Sequence, residues 1–359
     1  MADRLFLHIG APKTGTTYLQ QVLHLNRSAL EAAGVLYPRV VGDAHHTTVW
    51  DLRAMWERDF GRDIRGDWDK AVRLTDAWRG TAVMSSELFV YAEEDECRRA
   101  LTSFADRTEV HVIYTARDLL RQAPAVWQER VKNQHTLGYA DFLADALGPS
   151  ESGMAKGFWR AQDLPVALGR WSQGLSPQRV HVVTTPPAGW PPTLLWERFA
   201  SVLGVRGASY DTDVPVVNTS MSVTAAEVLR RFNVRHGQEL TGLQYRRVVR
   251  AGLFDVLTGV VEDTSKLSLT TSERSALVKR SKATAQEVRA RGYDVVGSLD
   301  DLVPAPPRLS ARHEDVGKRP DTVDDAEVVR ALLDVVNELL VTQRRLAKQL
   351  KKQQRRVQG

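Results

Sequence analysis

The run LFLHIGAPKTGTTYLQ, residues 5 to 20, constrains this chain more than any other segment. Leu5 to Ile9 is a short apolar run of strand type, and Thr16 to Leu25 carries the spacing of an amphipathic helix. Between them Gly10, Pro12, Lys13, Thr14 and Gly15 make a loop that neither element can absorb. A buried strand, a glycine loop and a helix in that order form an anion cradle. The glycines let the backbone turn closely around a phosphate, the helix N-terminus points N–H groups at it, and Lys13 adds a full positive charge. Gly10, Pro12, Lys13, Thr14, Gly15, Thr16 and Thr17 are therefore the candidate phosphate-binding residues. An ATPase loop places its lysine directly after the second glycine. Here Thr16 fills that slot and Lys13 lies three positions earlier, which disfavours a magnesium-triphosphate grip.

Three more short apolar runs follow, at Thr81–Met84, Val110–Tyr114 and Val180–Thr184, with a weaker one at Val35–Tyr37. Helical patterns separate them, clearest over Asp118–Asn133, Thr193–Leu203, Val223–His236 and Thr271–Arg291. Short apolar strands alternating with helices predict a three-layer α/β fold around a parallel sheet, with ligands at the C-terminal ends of the strands. Pro304, Pro306 and Pro307 then break the pattern. The expected organisation is a phosphate-loop domain over 1–303, a linker over 304–322 and an amphipathic, basic-ended helical tail over 323–359.

Hydrophobic residues make up 43% and charged residues 26% of the chain, which suits a globular protein with a real core. The net charge of +5 does not imply nucleic acid, because residues 344–359 hold seven Lys or Arg and no Asp or Glu, leaving the remainder slightly acidic. Cys97 is the single cysteine, which excludes an internal disulfide and a cysteine-based zinc site. The N-terminus lacks the layout of a secretory signal and no apolar run is long enough to span a membrane, so a cytoplasmic location without a membrane span is expected.

The arrangement Pro-Lys-Thr-Gly-Thr-Thr at 12–17 resembles the 5′-phosphosulfate loop of the sulfotransferases that use 3′-phosphoadenosine 5′-phosphosulfate. HVIYTARDLLRQAPAVWQE, residues 111–129, resembles the second donor-binding segment of that family. The resemblance, extended by weaker matches at 179–185, 194–205, 217–222 and 292–302, covers roughly the first 300 residues. It implies that Lys13 contacts the donor's 5′-phosphate and bridging oxygen, that Thr16 and Thr17 add donors, that Tyr18 falls where an aromatic stacks on adenine, and that Arg117 binds the 3′-phosphate. The family's serine eight residues after that arginine is replaced by Ala125, and Arg121, one helical turn beyond Arg117, could face the same phosphate instead. The implied activity is transfer of a sulfuryl group to a hydroxyl or amine of a small-molecule or glycan acceptor. The alternatives are another phosphate-loop nucleotide-binding or kinase-like protein, or a non-catalytic relative.

Such transfer needs a group to take the acceptor's proton. Ser86 and Glu87 follow the strand at 81–84 and should emerge at the ligand edge, with Glu87 the first choice of base and Ser86 a donor-site hydrogen-bonding group. Both residues also suit a helix start. His46, beside His45, is the next candidate base. No third ligand accompanies this pair at metal-site spacing, so no metal is expected. His8 reads as a satisfied core residue, and Trp50 and Trp127 as candidates to line an acceptor pocket formed from 40–65 and 125–160. In the tail, Val328, Leu332, Val335, Val336, Leu339, Leu346 and Leu350 recur at helical spacing. That stripe fits packing on the chain's own domain, a homodimer, or peripheral contact with an anionic membrane through the basic end.

Overall fold

The computed structural model describes residues 2–40, 45–57, 60–149, 152–205, 210–214, 220–304 and 317–358. The elements run β1 (Ala2–His8), α1 (Thr16–Leu25), α2 (Arg27–Ala32), β2 (Val35–Leu36), α3 (His46–Leu52), α4 (Asp67–Ala77), β3 (Gly80–Ser85), α5 (Glu94–Thr102) and β4 (Glu109–Ala116). They continue with α6 (Leu119–Lys132), α7 (Tyr139–Leu147), α8 (Gly153–Gln162), α9 (Leu164–Trp171), β5 (Val180–Thr184), α10 (Thr193–Leu203), α11 (Val223–His236) and α12 (Gly242–Tyr245). A wide-turn stretch, Arg246–Leu253, leads into α13 (Phe254–Val260), followed by α14 (Thr271–Arg291), β6 (Asp294–Val296) and α15 (Asp325–Gln358).

The fold is α/β with a six-stranded, all-parallel sheet in the order β2-β3-β1-β4-β5-β6. Both faces of the sheet are covered, which is why its strands read as continuous apolar runs rather than alternating ones. Leu5, Leu7, Val112, Tyr114, Val180 and Val182 point into one core with Trp68, Phe89 and Trp171, while Phe6, Val83, Ile113 and Val183 point into a second with Leu19, Leu23, Trp196 and Phe199. β1 pairs with β3 on one side and with β4 on the other, and the chain fills the β2 and β3 side before it crosses to β4. The direction of winding therefore reverses at β1, and the crevice beyond the C-terminal ends of β1 and β4 is where such a sheet takes ligands.

The chain forms two compact units. The first comprises 1–123, 145–217 and 271–308 and holds the whole sheet; the second comprises 124–144, 218–270 and 309–359 and is helical. Within the second, Asn233 donates to the carbonyls of Val131 and His135 and accepts from Tyr245 Oη at 2.6 Å, and the buried Glu227 pairs with Arg230 and Arg231. Trp127 belongs to this packing: it is 1% exposed, its indole N–H donates to Leu137 O, and its ring meets Tyr139 at 5.1 Å. It is a core residue, and the expectation that it lines a pocket is corrected accordingly. Residues 305–316 of the expected linker lie outside the described residues.

Three differences from the sequence expectation have physical causes. The three residues of β6 are too few for a period to show. Helices α4, α5, α8 and α9 are short segments whose buried positions include Asp67, Thr75, Gln162 and Pro165, which blur the apolar stripe. Lastly, the apolar residues assigned to a single stripe on the tail divide between two faces of α15: Val328 and Val335 are buried, whereas Leu332, Val336, Leu339, Leu346 and Leu350 are exposed.

Candidate functional site

The loop between β1 and α1 is shaped by three positive backbone angles, at Gly10 (φ 23), Lys13 (φ 70) and Gly15 (φ 94). A Cβ at Gly10 would lie 2.6 Å from Thr16 Cγ2 and 2.8 Å from Thr115 Oγ1, and one at Gly15 would lie 2.4 Å from Leu195 Cδ2, so neither position tolerates a side chain. Lys13 has no such excuse. A left-handed lysine costs roughly 1–2 kcal/mol, and such strain persists only where the surroundings impose it.

What imposes it is a set of donors behind the loop. Ala11 O accepts from Thr14 Oγ1 at 2.7 Å, Pro12 O from Gln122 Nε2 at 3.0 Å, Lys13 O from Arg117 Nη1 at 3.0 Å and Thr14 O from Thr185 Oγ1 at 2.9 Å. In a trans peptide the N–H points opposite the C=O. Fixing the carbonyls of Pro12, Lys13 and Thr14 toward β4, β5 and α6 therefore turns the N–H groups of Lys13, Thr14 and Gly15 the other way, into a concave set at the start of α1. Gly15, the cap residue of α1, has no side chain to satisfy the first-turn N–H groups. The loop is thus a cradle of outward-facing donors with positive charge beside it.

Beneath the loop runs a chain of side-chain hydrogen bonds whose proton positions follow from counting. Thr14 Oγ1 spends its proton on Ala11 O, so Thr115 must donate to Thr14 Oγ1 across 2.6 Å. Thr115 Oγ1 then accepts from His8 Nε2 at 3.2 Å, which makes His8 the Nε2–H tautomer, and its Nδ1 accepts from Ser85 Oγ at 2.7 Å. Full burial pushes the His8 imidazole down to about 3, so it is neutral. His8 is the satisfied core residue expected, and it ties the ends of β1, β3 and β4 to the loop.

Arg117 leaves the end of β4. Besides its bond to Lys13 O it has a buried Nε without a hydrogen-bond partner among the described residues, and burial, helped by nearby Arg121 and opposed by Asp118, draws the guanidinium down to about 10. It remains a cation with a donor to spare. Arg121 is engaged differently: its Nε pairs with Asp118, and both terminal nitrogens donate to Pro186 O at 3.2 Å.

On the other side of β1, β3 delivers Ser86 and Glu87. Ser86 Oγ accepts from Leu88 N–H and lies 3.0 Å from His46 Nδ1, while Gln20 Nε2 donates to Glu87 Oε2 at 3.0 Å. Gln20 sits one helical turn beyond Thr16 on α1, so Glu87 is held against the helix that begins at the phosphate loop. His45 is buried and structural: Nδ1 accepts from Ser85 N–H at 3.1 Å, Nε2 donates to Pro38 O at 2.8 Å, and burial lowers it to about 4. The residues gathered at this sheet edge are therefore Gly10 to Thr17, Ser86, Glu87, His46, Arg117 and Arg121. Tyr18 packs against the second core, beside the cluster that includes Trp196 and Phe199. Trp50 is half-buried between Phe60 and Arg53. Of the expected acceptor segments, 41–44, 58–59 and 150–151 lie outside the described residues.

Sequence reasoning missed Gln20, Thr115, Gln122 and Thr185, which position the site rather than line it. The available signal was polar residues at the C-terminal ends of strands and on the first turns of helices beside them, in YTAR and VVTT. Among the described residues no group of three or more His, Cys, Asp or Glu is arranged to hold a metal ion, and no helix is long and apolar enough to cross a membrane.

No family model matches the chain, and no curated protein matches it. Among solved structures it is similar to a crystal structure of a sulfotransferase from Alicyclobacillus acidocaldarius, at 17% identity and a TM-score of 0.38, with 65% of this chain and 94% of that one covered. A likeness of that degree assigns no residue a role.

Proposed function

We propose that the chain is a sulfotransferase that takes its sulfuryl group from 3′-phosphoadenosine 5′-phosphosulfate. The observation that carries this reading is the phosphate loop with Lys13 ahead of Gly15, its carbonyls drawn back by Gln122, Arg117 and Thr185 so that its N–H groups face outward. One further feature supports that nucleotide: Arg117 has a buried Nε, without a hydrogen-bond partner among the described residues, to offer a second anionic group.

In this reading the N–H groups of Lys13 to Gly15 and the start of α1 hold the 5′-phosphate, with Thr16 and Thr17 adding hydroxyl donors. The Lys13 ammonium stabilises charge on the bridging oxygen as its bond to sulfur breaks. Arg117, with Arg121 one turn beyond, reads the 3′-phosphate, and Tyr18 meets the adenine. Glu87, oriented by Gln20, accepts the proton of the acceptor hydroxyl or amine, with His46 and its Ser86 contact the second candidate for that role. The nucleotide supplies the activated sulfuryl group and leaves as adenosine 3′,5′-bisphosphate. No metal is assigned a part. The acceptor is a small molecule or glycan bearing a hydroxyl or amine, and the reaction is placed in the cytoplasm.

The experiment is a transfer assay with sulfur-labelled donor over a panel of sugar, phenol, peptide and amine acceptors, with Lys13→Ala as control. Label appearing on an acceptor only with the wild-type chain supports the reading. Bisphosphate binding without label transfer to any acceptor would reduce the protein to a nucleotide-binding relative.

A further inference from the structure

Helix α15 is 34 residues long, about 50 Å at the usual rise, and it has two apolar faces where a helix packed only on its own chain needs one. Val328, Ala331 and Val335 form the first face; all are buried, and α15 packs there against α11 and α13 of its own unit. Arg231 and Lys318 secure the same turns through Asp325 at 2.6 Å and Glu327 at 2.8 Å. The second face is Val329, Leu332, Val336, Leu339, Leu346 and Leu350, which alternate at three- and four-residue steps around Gln343, with Leu333 and Leu340 alongside. Each of these eight side chains is between 41% and 65% exposed. From Gln343 to Leu350 every side chain of the helix is exposed, so this half has no support from its own unit. An isolated helical half of such length is marginal in water.

We infer that this face is covered by the same face of a second copy of this chain, the two α15 helices crossing antiparallel about their midpoint. Three features select that occupant and orientation. The three- and four-residue steps are those of a two-helix seam in which positions a and d meet a facing helix. Setting the two-fold at Val341 overlaps the helices along their whole length and places Val336 opposite the partner's Leu346 and Leu332 opposite the partner's Leu350. The flanking apolar positions border the same seam, Leu340 within two residues of the level of the partner's Leu340 and Leu333 within two of the partner's Ala347. Charge points the same way. Residues 344–359 carry seven Lys or Arg and no acid, whereas 325–343 carry Asp325, Glu327, Asp334 and Glu338 against Arg330 alone. An antiparallel pair brings Arg344 and Lys348 level with the partner's Glu338 and the partner's Asp334; a parallel pair stacks the basic ends on each other. An anionic membrane fits less well, because Asp334 and Glu338 lie on the same helix as the exposed stripe and would be repelled from it.

The test is sedimentation equilibrium of the full chain at micromolar concentration, where a species of twice the 40.2 kDa chain mass is expected. Leu340→Glu puts two carboxylates together at the two-fold and, being an exposed change, should keep the far-UV spectrum while returning the protein to single-chain mass. Orientation is read by oxidising Val336→Cys and Leu346→Cys variants, Cys97 being buried. A disulfide-linked dimer that forms only when the two variants are mixed supports the antiparallel pair. Self-linked dimers of either variant alone, a Leu340→Glu protein that stays dimeric, or a wild-type monomer, including one that floats with phosphatidylserine vesicles, would overturn it.

Discussion

Arg117 Nη1 lies 3.0 Å from the carbonyl oxygen of Lys13, so the cation at the end of one strand braces the loop that follows its neighbour. In the proposed function a single side chain would thereby serve both phosphate positions of the donor. Arg117→Ala should weaken adenosine 3′,5′-bisphosphate about 100-fold, since a charged donor and the brace are both lost, and adenosine 5′-phosphate only about tenfold. Calorimetry with the two nucleotides makes the comparison. Equal losses would mean that Arg117 acts on the loop alone and reads no 3′-phosphate.

Gln122 tests the brace without touching charge. Its amide holds Pro12 O and nothing else is assigned to it, so Gln122→Ala should cost roughly one hydrogen bond, about fivefold in affinity for both nucleotides alike, with the fold retained. A variant that binds as wild type would show that the outward set of N–H groups does not depend on these carbonyl contacts.

Glu87→Gln keeps the shape and the Gln20 neighbour but removes the proton acceptor. Turnover should fall on the order of 100-fold or more while bisphosphate affinity holds. If His46→Gln produces that pattern and Glu87→Gln does not, the base is His46.

The placement of this candidate site's main residues is legible in the sequence, and the reason is chemical. A glycine loop between a strand and a helix has few other uses, and Arg117 and Glu87 stand directly at strand ends, so topology alone brings them to the edge where Lys13 lies. Gln20, Gln122 and Thr185 could not be read that way. Their importance lies in which carbonyl or carboxylate they reach across long sequence separations, and a polar residue on a helix gives no sign of that. The two faces of α15 were hidden for a related reason: Val328 and Leu332 are indistinguishable until the packed side is known.

Acid should destabilise the fold in a definite window. His8, His45 and His111 are buried neutral, with burial the chief cause, at about 3, 4 and 4. In the unfolded chain each titrates near 6.5, so below that pH the unfolded state binds more protons. Stability is fully present above 6.5 and is lost as pH falls toward 4, by roughly 1.4 kcal/mol per pH unit for each histidine. Urea midpoints at successive pH values should drop steeply between 6.5 and about 5. A flat profile there would contradict the buried neutral assignment.

The most direct measurement is calorimetric titration of the wild-type chain with adenosine 3′,5′-bisphosphate and, separately, with magnesium ATP. A cradle with Lys13 before Gly15 and with Arg117 reserved for a second phosphate should bind the bisphosphate at least 100-fold more tightly, a preference that Arg117→Ala largely removes. Tight binding of magnesium ATP with none of the bisphosphate would contradict the donor assignment and return the protein to the kinase-like class.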